Sequence, residues 1–157
     1  MRRVVLIAAA VAVVDQLTKL LVIRFIGENE LRPVIAGFFS LVNWRNSGAA
    51  WGIFHDYNLL LAVVSVLTIF VLYLFRHSFQ MQRPTSAISL GLIAGGIVGN
   101  VVDRIRLGHV VDFLLFYIRQ YQWPAFNVAD SAICCGVALY VIVSWRTERQ
   151  AEPTPAS

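Results

Sequence analysis

Two aspartates in the second half of the chain, Asp112 and Asp130, carry the chemistry that the sequence predicts. Asp112 lies in the run His109-Val-Val-Asp-Phe-Leu-Leu-Phe-Tyr117, whose other side chains mostly favour lipid or a protein core. An unpaired carboxyl group in such surroundings is strongly disfavoured as an anion and tends to stay protonated. A second carboxyl group nearby gives it a use, because two acids that share one proton can act as general acid and general base. The sequence therefore predicts a catalytic pair.

Asp130 also has a purely structural interpretation. Asn127 and Asp130 match the N-cap residue of a helix and the acid three positions later, which is ordinary helix-start chemistry. The helix dipole would favour the ionised carboxylate at this position. The residues alone are compatible with both the catalytic and the structural interpretation. The position at a helix start makes Asp130 the more natural ionised partner of Asp112.

Further polar residues interrupt apolar runs elsewhere in the chain. Asp15 and Lys19 are spaced i to i+4, so they could neutralise each other or contact a substrate, and these roles are compatible. Asn100 could be a hydrogen-bonding contact between helices. Asp103 and Arg104 could form interfacial ion pairs with nearby residues. Several such groups at one membrane depth would be costly without a function.

The elements that position these residues are predicted to be membrane helices. The chain has 157 residues, of which 58% are hydrophobic and only 14% charged, with a mean hydropathy of +0.68. A chain this short has no core large enough for that apolar content, so lipid must take it. The net charge of +4 suits cationic loops facing anionic lipid, while arginines scattered in ones and twos argue against a nucleic-acid partner.

The sequence predicts neither a metal nor another cofactor. Cys134 and Cys135 are adjacent, so their side chains point apart in a helix, and the three histidines lack a metal-binding spacing.

Four apolar runs predict four transmembrane helices, at residues 4–26, 59–75, 87–102 and 128–145. The first run could instead begin a cleaved signal peptide, but its full length fits a span. Residues 37–44 of the first large loop read as a short strand, and residues 49–54, with Trp51, as an interfacial helix. The predicted fold is an all-α membrane protein of four transmembrane helices with a small extracytoplasmic β element in the large loops. Residues 1–146 form one integral-membrane domain, and residues 147–157 a disordered cytoplasmic tail.

The predicted topology brings the polar residues to one membrane face. Four spans place both termini on one side, and the short arginine-containing segments there, beginning with Arg2 and Arg3, favour the cytoplasm. With a helical rise of about 1.5 Å per residue, Asp15 lies ~16 Å and Lys19 ~22 Å into a ~30 Å core. Asn100 reaches a similar level, and both large loops emerge beyond it. We therefore expect the site at the outer face.

Five short motifs follow one another along the chain: Asp15-Gln-Leu-Thr-Lys19, Asn46-Ser-Gly-Ala-Ala-Trp51, Gly95-Gly-Ile-Val-Gly-Asn-Val-Val-Asp-Arg104, Gly108-His-Val-Val-Asp-Phe113 and Phe126-Asn-Val-Ala-Asp-Ser131. Together they resemble the ordered motif set of bacterial lipoprotein signal peptidase, or signal peptidase II. The resemblance covers nearly the whole chain, from Asp15 through the fourth predicted helix.

That resemblance implies a multi-pass inner-membrane aspartyl peptidase that cleaves prolipoproteins just before a diacylglyceryl-modified cysteine. Its implied partners are the diacylated prolipoprotein and membrane lipids, and we expect a monomer without cofactor. Asp112 and Asp130 would be the catalytic pair. The residues that would bind substrate or support the site are Asp15, Lys19, Asn46, Gly48, Asn100, Arg104 and Asn127.

Three alternatives fit parts of the sequence. A serine–lysine peptidase could use Lys19, with Ser47 or Ser131 as nucleophile. A small proton-coupled four-helix transporter could use Asp15, although such a protein needs only short connecting loops. A non-catalytic scaffold could use the glycine face of the third helix, which we interpret as a packing seam formed by Gly91, Gly95 and Gly99.

Overall fold

The computed structural model describes residues 1–48, 53–54, 56–79 and 83–151, with side chains to residue 146. Within these residues the chain forms four long helices, each long and apolar enough to cross a membrane, as the sequence predicts. They are α1 (Arg2–Phe25), α2 (Asn58–Leu74), α3 (Pro84–Leu107) and α4 (Val128–Ala151), and a short 3₁₀ helix, Phe75–His77, continues α2.

A four-stranded antiparallel sheet accompanies the helices. Its strands are β1 (Leu31–Ile35), β2 (Phe39–Asn46), β3 (Val110–Ile118) and β4 (Tyr121–Gln122), and they lie in the order of the chain. Both large loops therefore contribute strands to one sheet, which joins residues distant in sequence.

The central helix is α3, which packs against both α1 and α4. The predicted glycine seam is confirmed, because a methyl group added at Gly95 would lie 2.6 Å from the carbonyl oxygen of Ala8 in α1. Gly136 of α4 has the same role, since a methyl group there would lie 2.7 Å from the carbonyl oxygen of Ser89 in α3. These contacts bring the three backbones close together. By contrast, α2 packs against α3 and leaves most of its apolar surface exposed.

The β element is larger than the sequence predicts. Residues 37–44 do overlap β2, but the apolar run around Asp112, between the third and fourth predicted helices, is also a strand, β3. The sequence of β3 does not alternate between apolar and polar residues, because the first residues of this strand are buried on both of its faces. Val111 and Phe113 pack against Val22 of α1 and against Ile26, the residue that follows α1. This side of the sheet therefore covers the C-terminal end of α1.

Two helices run further than predicted. The third was expected to end near Val102, but α3 continues to Leu107 because its polar side chains find partners within the fold. It ends at Gly108, whose left-handed backbone (φ 77°) lets its N–H donate to the carbonyl of Arg104. The fourth helix was expected to end near Trp145 but continues to Ala151.

Two predictions fall on parts of the chain that are not described. Residues 152–157, the remainder of the predicted tail, lie outside the described residues, as does most of the predicted interfacial helix with Trp51.

Candidate active site

The fold gathers six of the predicted site residues around one cavity of ≈ 960 Å³. The cavity lies where the C-terminal part of α3 and the start of α4 meet strands β2 and β3. The six predicted residues that line it are Asn46, Gly48, Asn100, Arg104, Asp112 and Asp130.

Asp112 reaches the cavity from β3, where it is paired with Trp44 of β2 and only 3% exposed. Its Oδ2 accepts a hydrogen bond from Asn46 Nδ2 at 2.9 Å, and its Oδ1 accepts one from Asn127 Nδ2 at 2.8 Å. Burial, followed by the negative charge of Asp130, raises the pKa of Asp112 to about 7, although the two amide donors and Lys19 act in the opposite direction. This carboxyl group can therefore hold or release a proton near neutral pH.

Asp130 lies in the first turn of α4 and forms a reciprocal cap with Asn127. The Asp130 N–H donates to Asn127 Oδ1 at 2.9 Å, and the Asn127 N–H donates to Asp130 Oδ2 at 3.2 Å. The predicted helix-start interpretation is thus confirmed. The cap occupies only one carboxylate oxygen. The other, Oδ1, accepts a second hydrogen bond from Asn100 Nδ2 at 2.7 Å, and Asp130 also lines the cavity.

Behind the cavity lies a buried cluster centred on Lys19, which is 2% exposed. Its Nζ is 2.8 Å from Asp15 Oδ2 and 2.8 Å from Asp103 Oδ2, and it donates to Asn100 Oδ1 at 3.0 Å. The predicted local pairing of Asp15 with Lys19 is therefore confirmed, and Asp15 also accepts the N–H of Ala129 in α4 at 2.9 Å. Neither Asp15 nor Lys19 lines the cavity. Lys19 is connected to it through its hydrogen bond to Asn100, which does line the cavity. The Lys19 ammonium donates to Asp15, Asp103 and Asn100. This disfavours a serine–lysine dyad, because the amine is not available as a base for a serine.

Asp103 belongs to the same cluster, although it is not among the site residues that the sequence predicts. Besides Lys19, it accepts hydrogen bonds from Gln16 Nε2 at 2.8 Å and from the N–H of Val111 at 3.2 Å. A signal for it was present: Asp103 follows Asn100 by three positions and so shares its helix face. What the sequence could not supply was the identity of the residues opposite that face.

Arg104 lies at the cavity wall near the end of α3. Its Nη2 donates to the backbone carbonyl of Gly48 at 3.0 Å, and the N–H of Gly48 in turn donates to Asn46 Oδ1 at 2.9 Å. Arg104 Nε is buried without a hydrogen-bond partner in the described part of the chain. Arg104 also lines the cavity, and its guanidinium has further N–H donors that suit a ligand carbonyl oxygen.

Comparison with known proteins gives consistent results. A family model described as signal peptidase (SPase) II matches residues 7–146. The lipoprotein signal peptidase of Syntrophotalea carbinolica is 43% identical over 149 residues, which cover 92% of each chain. That of Geobacter metallireducens is 44% identical, covering 92% of this chain and 91% of the relative.

Two solved structures, both described as bacterial membrane enzymes determined by the in meso method, are also similar. The first has a TM-score of 0.87 and 28% identity and covers 100% of this chain and 96% of the other. The second has a TM-score of 0.79 and 30% identity, with coverages of 91% and 92%.

Proposed function

The chain belongs to the signal peptidase II family, and from that premise we propose that it is an aspartic endopeptidase of the bacterial inner membrane. It removes the signal peptide from diacylglyceryl-modified prolipoproteins by hydrolysing the peptide bond before the lipidated cysteine. The observation that carries the proposal is that the carboxyl groups of Asp112 and Asp130 line one cavity and interact electrostatically. Two such acids cannot both ionise cheaply, so they share one proton.

Asp112 holds that proton and Asp130 is the ionised member. Burial favours the neutral form of Asp112. Each carboxyl group accepts two hydrogen bonds, but only Asp130 lies at a helix N-terminus, where a negative charge is favoured.

Hydrolysis then proceeds without a covalent enzyme intermediate. Asp130 takes a proton from a water molecule whose oxygen attacks the scissile carbonyl carbon, while Asp112 donates its proton to the carbonyl oxygen. The C–N bond breaks as the proton on Asp130 passes to the leaving amine. One hydroxyl of the tetrahedral intermediate returns its proton to Asp112, and the pair is restored.

The remaining cavity residues hold the substrate. The guanidinium of Arg104, which lines the cavity and is fixed by its bond to Gly48, donates to a backbone carbonyl oxygen of the signal peptide. Apolar side chains such as Trp44, Phe126 and Ile133 also line the cavity and suit an apolar signal peptide. The acyl chains remain in the bilayer beside the exposed apolar helices.

The active site faces the periplasm, with both termini in the cytoplasm. The sheet follows the C-terminal end of α1, opposite to Arg2 and Arg3, so cytoplasmic termini put the sheet and the cavity outside. The residues assigned to catalysis and substrate binding all come from one chain, which suits a monomer.

The test compares a diacylated precursor peptide with the same peptide lacking the acyl chains. Purified wild-type protein should cut only the diacylated peptide, immediately before its cysteine, as measured by product mass. Asp112→Asn and Asp130→Asn should each lower turnover by about 10³-fold or more, because proton transfer to and from the substrate is lost. Intact folding of both variants is checked by thermal unfolding in detergent. Normal turnover by either folded variant would refute the paired-acid mechanism.

A further inference from the structure

We propose that Asp103 is a positioning residue that sets the geometry of both Asp112 and Asp130. It is 1% exposed, lies on α3 and does not line the cavity, so it acts through other groups. This inference rests on the proposed function, since positioning has a kinetic consequence only if Asp112 and Asp130 react.

The first route runs through the backbone. Asp103 Oδ2 accepts the N–H of Val111 at 3.2 Å, and Val111 immediately precedes Asp112 on β3. Val111 is itself buried, so losing this acceptor would leave a buried N–H without its partner. The carboxylate therefore anchors to α3 the peptide unit between Val110 and Val111, one residue before Asp112, and so fixes the path of β3 as it enters the site.

The second route runs through side chains. Asp103 Oδ2 is 2.8 Å from Lys19 Nζ, and Lys19 donates to Asn100 Oδ1 at 3.0 Å. With its oxygen turned towards Lys19, the Asn100 amide directs Nδ2 to Asp130 Oδ1 at 2.7 Å. Lys19 thus selects the orientation of Asn100 that binds Asp130, and Asp103 helps to hold Lys19 in place.

Charge neutralisation alone does not account for Asp103. Lys19 already has an acidic partner in Asp15, 2.8 Å away, and a second buried carboxylate gives the cluster more negative than positive charge. Burying such a charge is costly unless it is fully hydrogen-bonded. Asp103 is so bonded by Lys19, Gln16 and the Val111 N–H, and the last of these is the one contact that leads to β3.

The sharpest test removes the Val111 donor alone. Replacing Val111 by its α-hydroxy acid converts the amide N–H into an ester oxygen and leaves every side chain unchanged. The matched control is the same replacement at Tyr117 of β3, whose N–H donates to the carbonyl of Phe38 at 2.9 Å. Both changes should lower the unfolding temperature, because each deletes one hydrogen bond donated by a backbone N–H.

Only the Val111 ester should affect catalysis. We expect its kcat for the diacylated peptide to fall about tenfold or more with little change in KM, because a small displacement of a reacting group is enough for such a loss. The Tyr117 ester should keep wild-type kcat. Equal kcat values for the two esters would overturn the inference.

Asp103→Ala supplies the second arm. It removes the acceptor of the Val111 N–H together with those of Lys19 and Gln16, so it should lower kcat more than the Val111 ester. Adding the ester to Asp103→Ala should cause little further loss, since both changes break the same contact. If the two losses instead multiply, the backbone route is wrong. If Asp112→Asn is inactive while the Val111 ester and Asp103→Ala keep full kcat, this inference fails alone, whereas an active Asp112→Asn enzyme refutes the proposed function.

Discussion

Asp112 and Asp130 are hydrogen-bonded to the same residue, Asn127, the first through its side-chain amide at 2.8 Å and the second through its backbone N–H at 3.2 Å. One acid lies on a strand and the other on a helix, and Asn127 immediately precedes that helix. Asn127 therefore links the two carboxyl groups directly and helps to fix their relative position.

The pH dependence of turnover should follow the proton on Asp112. In the proposed mechanism Asp112 must be protonated, and its pKa is raised to about 7, so kcat/KM should fall as the pH rises through about 7. Asn46→Ala deletes a hydrogen bond that lowers this pKa, so the descending limb should move to higher pH. The test is to measure rates with the diacylated peptide from about pH 5 to about pH 9.

The control for that shift is Asn43→Ala. Asn43 lies on the same strand, but its amide donates to the carbonyl of Ile26 rather than to Asp112. Its variant should lose stability without moving the limb. A limb that stays in place or moves to lower pH in Asn46→Ala would contradict the assignment of Asp112 as the proton donor.

Substitutions of Asn127 should separate stability from turnover. Asn127→Ser keeps a side-chain oxygen that can cap α4, whereas Asn127→Ala does not, so the alanine variant should be about 1 kcal/mol less stable. Neither variant can donate to Asp112 Oδ1, so both should lose turnover. Unfolding temperature and kcat measured side by side provide the test, and a serine variant with wild-type kcat would show that the bond to Asp112 has no catalytic role.

Two glycines of α3 offer a matched pair. A methyl group added at Gly99 would lie 2.6 Å from Asp15 Oδ2, and one at Gly91 would lie 2.7 Å from Ile7 Cβ. Both alanine variants should lose about 1–3 kcal/mol through overpacking. Only Gly99→Ala should also lower kcat, because it displaces Asp15 and with it Lys19. Loss of kcat in folded Gly91→Ala would show instead that helix spacing along all of α3 controls the rate.

The serines of the rival dyad should be dispensable. Ser47→Ala and Ser131→Ala should keep turnover within about threefold of wild type, because water is the nucleophile in the proposed mechanism. Lys19→Met should lose activity because the protein is destabilised. It leaves Asp15 and Asp103 as unpaired buried charges, which should lower the free energy of unfolding by about 3–5 kcal/mol. A serine variant that folds normally but cannot cleave the diacylated peptide would revive the serine–lysine alternative.

Local patterns were enough to find the spans and the cap of α4. The apolar runs have the length of membrane helices, and the Asn127–Asp130 spacing specifies a helix start whatever surrounds it. Pairing of Asp15 with Lys19 followed from their spacing on one helix turn. Each of these features is determined by residues close together in the sequence.

Features that depend on distant residues were missed. Strand β3 is largely apolar on both faces because its residues pack within the fold, Val111 and Phe113 against the end of α1 and Phe116 against Phe126. Its sequence therefore carries no alternation to distinguish a strand from other buried segments. The role of Asp103 in the buried cluster was not predicted, because its partners Lys19 and Gln16 lie on another helix. Spacing identified the face of α3 that Asp103 occupies but not what packs against it.

Burial of Lys19 also has a practical consequence, because it is the only lysine in the sequence. In the folded protein its amine is enclosed by two carboxylates and an amide, so an amine-reactive dye can attach only at the N-terminal amino group. A second dye per chain, detected by intact mass, therefore counts molecules in which α1 has separated from α3. The single lysine is a built-in reporter of the assembled state, and it can be read without engineering the chain.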